Sequence, residues 1–158
     1  MHVLVTGGAG FIGSNFVRYW AATHSDDSIV VFDALTYAGN RESLADLESQ
    51  ITFVRGDIAD ADDVAEAIKD DHIDLVVNFA AESHNSLAVL NPGLFFRTNV
   101  IGTQTLLEGA RRAGVARFHH ISTCEVYGEL ALDSDDAFTE SHPYRPRTPY
   151  NASKAGAD

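Results

Sequence analysis

The chain has 158 residues, 45% of them hydrophobic and 22% charged, enough for one core that buries roughly 70% of the unfolded surface and too apolar for a disordered or collagen-like sequence. Eleven Lys and Arg against 23 Asp and Glu leave a net charge of −12, a field that repels nucleic acid and anionic membranes at long range, and no apolar run approaches the ~20 residues of a membrane helix. The single cysteine, Cys124, excludes an internal disulfide and a cysteine-based zinc cluster and fits a reducing, cytoplasmic setting.

From Met1 the sequence runs straight into a β-branched stretch, with no basic segment, long apolar core or cleavage site to read as an export signal. Short apolar runs then alternate with amphipathic segments, the pattern of βαβ units. Strands are predicted at 3–6, 29–32, 52–55, 75–79 and 117–122, each mostly apolar, as expected of a parallel strand covered on both faces. Helices are predicted at 14–22, 41–47, 61–69 and 92–113, with Asp60 and Asn91 as N-caps, the latter just before a proline. Residues 85–89 read as a loop, and a last helix starts near Thr148. The expected fold class is α/β, a Rossmann-type doubly wound parallel sheet, with the ends of strands one, two, four and five on the ligand-binding edge.

The first strand passes into Gly7-Gly8-Ala9-Gly10-Phe11-Ile12-Gly13. Glycines here let the chain turn out of the strand, let a pyrophosphate approach the backbone and let the helix pack on the sheet. Asp33 follows Gly13 by 20 residues at the end of the second strand, where a carboxylate accepts hydrogen bonds from an adenosine ribose and repels a 2′-phosphate, which favours NAD. A solvated loop carboxylate is the plainer alternative. After the third strand, Asp57 and Ile58 can bracket an adenine, and for Asp57 a helix-preceding cap is an equal alternative.

The fifth strand leads into Ser122-Thr123-Cys124-Glu125, and 25 residues beyond Glu125 comes Tyr150-Asn151-Ala152-Ser153-Lys154. Tyr150 and Lys154 at i and i+4 share a helix face, so an ammonium beside the phenol is expected to lower its pKa from ~10 toward neutrality. Such a phenol can take a proton from a substrate hydroxyl while hydride leaves the same carbon. Thr123 can bond the same oxygen, and Glu125 is a candidate base for a carbon acid. No metal site is expected, because His119 and His120, adjacent on a strand, point to opposite faces.

Together these residues resemble the extended short-chain dehydrogenase/reductase family, and within it the dTDP-glucose 4,6-dehydratase subgroup. Residues 35–40, 80–84, 98–103 and 119–123 look like that subgroup's own signatures. The resemblance implies tightly held NAD, contacted by Gly7, Gly10, Phe11, Ile12, Gly13, Asp33, Ala34, Leu35, Thr36, Asp57, Ile58, Phe79, Ala80, Ala81, Glu82, Ser83, Thr98, Tyr150 and Lys154, with Ser83 and Thr123 at a nucleotide-sugar substrate. It implies catalysis by Thr123, Cys124, Glu125, Tyr150 and Lys154. Tyr150 takes the C4 hydroxyl proton, Glu125 removes the C5 proton of the 4-keto sugar, water leaves from C6, and hydride returns to C6. At Cys124 such enzymes usually carry Asp; a thiol of pKa ~8.5 can donate a proton but is a much weaker acid than a carboxyl. A 5,6-dehydratase branch resembles this Cys-Glu pair, a C4 epimerase would need no Glu125, and a catalytically silent NAD-binding module is a further reading. Residues 85–89 also lack the polar groups usual after His84. Family members run to roughly twice this length, so residues 1–158 are expected to be the NAD-binding domain of a longer two-domain enzyme, poorly active alone and a homodimer when complete.

Overall fold

A computed structural model describes residues 1–69 and 72–158. Five parallel strands, β1 (His2–Thr6), β2 (Ser28–Asp33), β3 (Ile51–Arg55), β4 (Leu75–Asn78) and β5 (Arg117–His120), form one sheet in the order β3-β2-β1-β4-β5. Val5 lies between Val31 of β2 and Val77 of β4, so β1 is central. The strand order reverses between β1 and β4, which opens a crevice at the carboxyl ends of these strands. Burial follows position in the sheet. The central strands β1 and β2 are buried almost without a break, whereas the edge strands β3 and β5 alternate more exposed with less exposed residues.

Side chains of β1 divide between two cores because successive residues point to opposite faces. Leu4 joins Val30, Phe32 and Val76 beneath α2 (Ala61–Ile68) and α5 (Thr103–Ala113), while Val3 and Val5 join Val31 and Val77 beneath Val17 of α1 (Phe11–Thr23). Asp60 caps α2 as expected, its carboxylate accepting from the Asp62 and Asp63 N–H groups.

Several expectations need correction. Residues 41–47 are a 3₁₀ rather than an α-helix, capped by Asn40. The predicted 92–113 helix is three pieces: α4 (Pro92–Phe95), a π-helical stretch Phe96–Gly102, and α5. Here Gly102 packs so closely on Ile58 that a Cβ would lie 2.7 Å from its side chain, and no periodicity argument detects such a widened turn. Asn91 makes no side-chain cap bond. Residues 85–89, read as a loop, belong to α3 (Asn85–Leu90), which the sequence disguises by lacking a capping side chain. Strand β5 ends at His120, two residues early, and α1 begins at Phe11, three residues early. The last helix, α6 (Pro149–Ala155), starts from Thr148 as expected, with the Thr148 hydroxyl accepting from the Asn151 N–H.

Candidate functional site

The crevice is a cleft of about 510 Å³ bounded by the glycine turn, the loops after β2, β3 and β4, and α6. Gly7 adopts φ +65°, and a Cβ there would meet the Ala80 backbone at 2.6 Å; only glycine lets the turn lie against the β4 loop. A Cβ on Gly13 would collide with the Gly7 carbonyl oxygen. Helix α1 follows with no side-chain cap and no acidic residue in its first turn, so its first N–H groups, orphaned by helix geometry, remain free for an anion. Asp33, 8% exposed, accepts from the Ala9 N–H at 2.9 Å and the Leu35 N–H at 2.8 Å. These bonds fix its carboxylate at the cleft wall. A glycine cradle, an uncapped helix start and a fixed carboxylate fit the pyrophosphate and ribose of a dinucleotide.

Gly7, Gly10, Phe11, Ile12, Gly13, Asp33, Ala34, Thr36, Asp57, Ile58, Phe79, Ala80, Ala81, Ser83, Thr98, Tyr150 and Lys154 all line this cleft. Leu35 is the exception. It adopts φ 52° and serves Asp33 through its backbone rather than forming part of the lining. Asp57 lines the cleft and is not the cap of α2, which is Asp60; its carboxylate instead accepts from the Ala59 N–H at 2.9 Å, ahead of the helix, and pairs with Arg97 at 2.6 Å. A separate hollow of about 610 Å³ between α2 and α5 shares no residue with the cleft, and its Glu108 and Arg112 pair with each other at 2.7 Å. Though larger, it has no counterpart of the glycine turn and free helix start, since the start of α2 beside it is capped by Asp60.

At the other end, Cys124–Tyr127 forms one 3₁₀ turn capped by Thr123, and Tyr150 and Lys154 sit on α6. Seven residues do not hold a helix by themselves. Asn99, buried in the π-helical stretch, anchors α6 by donating to the Ser153 hydroxyl at 2.8 Å. Burial raises the Tyr150 phenol above its ordinary value; a hydrogen bond with Thr123 opposes this, and Glu125 and Cys124 add to the rise. The Cys124–Tyr127 turn packs against α6, and of this group Tyr150 lines the cleft whereas Thr123, Cys124 and Glu125 lie outside its lining.

The expected effect of Lys154 is not found. Its ammonium, 3% exposed, donates to the Ile121 carbonyl at 2.5 Å and lies 3.5 Å from His120 Nε2; it is not among the influences on the phenol, whose pKa shifts up rather than down. Burial also pushes the Lys154 pKa down, against the pull of Asp158. A shared helix face brings two residues to one side, but here the longer side chain turns to a backbone acceptor. His120 is half-buried, and desolvation first, then the Lys154 charge, lower its pKa.

Sequence reasoning placed Glu82 among the NAD contacts, and it lines the cleft; to Asn99, Tyr37 and Arg97 it assigned no role. The Asn99 amide accepts from the Glu82 N–H at 2.8 Å and donates to the Glu82 carbonyl at 2.9 Å, while the Tyr37 phenol donates to Glu82 Oε2 at 3.0 Å. Burial, then Glu82, raises the Tyr37 pKa, with the His84 and Ser83 backbone opposing. No spacing rule reveals these contacts, which join loops far apart in sequence. Among the described residues no cluster of side chains could hold a metal ion and no helix is long and apolar enough to cross a membrane.

The family described as GDP-mannose 4,6 dehydratase matches residues 4–158. A dTDP-glucose 4,6-dehydratase of Mycobacterium tuberculosis is 60% identical over all 158 residues, which cover 47% of that protein. The structure of DesIV, a dTDP-glucose 4,6-dehydratase from Streptomyces venezuelae with NAD and TYD bound, superposes with a TM-score of 0.91 at 48% identity, over 99% of this chain and 49% of that one. A UDP-glucose 4-epimerase of Thermus thermophilus in complex with NAD gives 0.88 at 36% identity, over 98% and 48%. The chain spans about half the length of the curated relatives it matches.

Proposed function

The chain belongs to the GDP-mannose 4,6 dehydratase family, and from that premise we propose that it is the NAD-binding domain of a lyase that converts dTDP-glucose to its 4-keto-6-deoxy derivative. Its dTDP-glucose 4,6-dehydratase relatives support the substrate. Tyr150 accepts the C4 hydroxyl proton, with Thr123 hydrogen-bonded to the same oxygen. Glu125 removes the C5 proton, which the 4-keto group has made acidic, and Cys124 donates a proton to the departing C6 hydroxyl. Lys154, held on the Ile121 carbonyl, lines the cleft beside them. When bound, NAD supplies the acceptor for the C4 hydride, which returns to C6 as a proton is added at C5 and leaves the cofactor oxidised as it began, and a cationic ring whose charge favours the phenolate.

The observation that carries this reading is the match to dTDP-glucose 4,6-dehydratases along the whole chain, with Tyr150 and Lys154 in the cleft and the Cys124–Tyr127 turn, which carries Glu125, packed against α6. A C4 epimerization needs the phenol but no second base. The Cys124-Glu125 pair, with a thiol where such dehydratases usually carry Asp, favours one other reading, a 5,6-dehydratase that stops at the alkene. Exposed Phe96, Ile101 and Leu107 supply apolar surface for a homodimer, and the lone cysteine suits the cytoplasm.

The test is to incubate the intact protein with dTDP-glucose in deuterated water and record the product by NMR. A 4-keto-6-deoxy sugar labelled at C5 is expected; a 5,6-alkene or an unlabelled C4 epimer sinks the dehydratase assignment. Cys124→Asp speeds elimination if the thiol is the limiting acid, and an unchanged rate removes the thiol from that role.

A further inference from the structure

Two loops that follow strands on opposite sides of β1 meet through side chains. The loop after β2 lines the cleft with Thr36, Ala38 and Gly39, and the loop after β4 lines it with Ala81, Glu82 and Ser83. Between them in the sheet is β1, whose glycine turn carries the uncapped start of α1. The bond from the Tyr37 phenol to Glu82 Oε2, 3.0 Å long, therefore joins the two walls across the turn that would hold a pyrophosphate.

The two partners are anchored unequally. Glu82 is 5% exposed, and its backbone is gripped on both sides by Asn99, whose amide also holds Ser153 of α6. Tyr37 is 60% exposed and sits on a loop with no regular secondary structure, between β2 and the 3₁₀ segment at 41–47. Glu82 is the buried, doubly held partner and Tyr37 the exposed one, on a loop whose backbone is tied at its ends by the Leu35 N–H to Asp33 and the Asn40 N–H to the Ala9 carbonyl. A buried carboxylate needs a donor, and the Tyr37 hydroxyl is the donor found for it.

We propose that Tyr37 and Glu82 form a latch that retains NAD: the phenol closes the β2 loop onto a carboxylate fixed to the β4 loop, and the dinucleotide leaves only after this hydrogen bond opens. The inference rests on the reading of the cleft as an NAD site. It assigns Glu82 a positioning role, acting through Tyr37, and makes retention a property of two side chains separable from Asp33 and the glycine turn. Opening the latch costs a charge-assisted hydrogen bond, so its loss accelerates release without obstructing entry.

The test uses the intact protein loaded with radiolabelled NAD, diluted into excess unlabelled NAD and sampled by rapid gel filtration. Tyr37→Phe removes only the hydroxyl and is expected to raise the dissociation rate about ten-fold, with an association rate no lower than wild type. Glu82→Gln keeps an acceptor oxygen but loses the charge, so its dissociation rate falls between the two. A Tyr37→Phe rate within two-fold of wild type overturns the latch. So does the reverse order of the two variants, which would mean that the carboxylate acts on the cofactor directly. A general packing defect would instead slow association and reduce the number of sites. Failure of the wild-type protein itself to bind NAD refutes the underlying reading, whereas failure confined to the variants refutes only the latch.

Discussion

At the glycine-turn end of the cleft the groups facing the ligand are set by backbone geometry: Asp33 is held by two N–H donors, Gly7 lies against the Ala80 backbone, and α1 presents its free N–H groups. At the Tyr150 end the groups sit on short segments, one 3₁₀ turn and a seven-residue helix, and the phenol and ammonium are both shifted by burial away from their charged forms. The difference separates binding from chemistry. Dipoles and hydrogen bonds of the fold preorganise the first end, while the second depends on charges brought beside it, since desolvation alone pushes phenol and ammonium toward neutrality.

The strongest challenge to this division is Tyr150→Phe. If the phenol carries the proton, kcat of the intact protein falls by about 10²–10⁴-fold while NAD affinity, measured by titration calorimetry, is nearly unchanged; a comparable loss of affinity would mean that the two ends are not separable. Asp33→Asn probes the opposite end. An amide cannot accept from both the Ala9 and Leu35 N–H groups through its two terminal atoms, and leaving one buried donor unpaired costs about 1–3 kcal/mol. NAD affinity is expected to drop at least ten-fold and urea midpoints to fall with it, and an unaltered affinity would remove Asp33 from the ribose site.

A control lies outside both regions. Asp60→Ala deletes the acceptor for two N–H groups of α2 and is expected to lower unfolding free energy by about 1 kcal/mol without altering NAD binding. The smallest effect is in pH dependence. His120 has a folded pKa below its ordinary 6.5, so between those two values the unfolded chain binds more protons. Stability is then lost as pH falls below 6.5 through the folded pKa. Denaturation of His120→Gln is expected to show a flatter decline over that window, and an identical slope would mean that the imidazole is equally free to charge in both states.

Much of the frame was legible because its signals are local. All five strands, the cap at Asp60 and the final helix follow from apolar runs and capping side chains, and the glycine spacing with Asp33 picks out one edge of the sheet. The misreadings have tertiary causes. The helix at 85–90 has no capping side chain, the π-helical turns at 96–102 accompany close packing of Gly102 on Ile58, and Lys154 is diverted by the Ile121 carbonyl. Glu82, Asn99 and Tyr37 lie in three separate signature stretches, but their contacts span 17 to 54 positions, and a motif does not say which stretch meets which.

Sequence by itself determined the alternation of strands and helices, the glycine turn and the row of proton-bearing side chains, because hydrophobic period, glycine and capping residues act over a few positions. Tertiary structure alone decided which carboxylates are buried, where the lysine ammonium points and which loops are joined across the cleft. Burial and long-range hydrogen bonds are properties of segments brought together by the sheet, and a linear order of residues does not contain those distances.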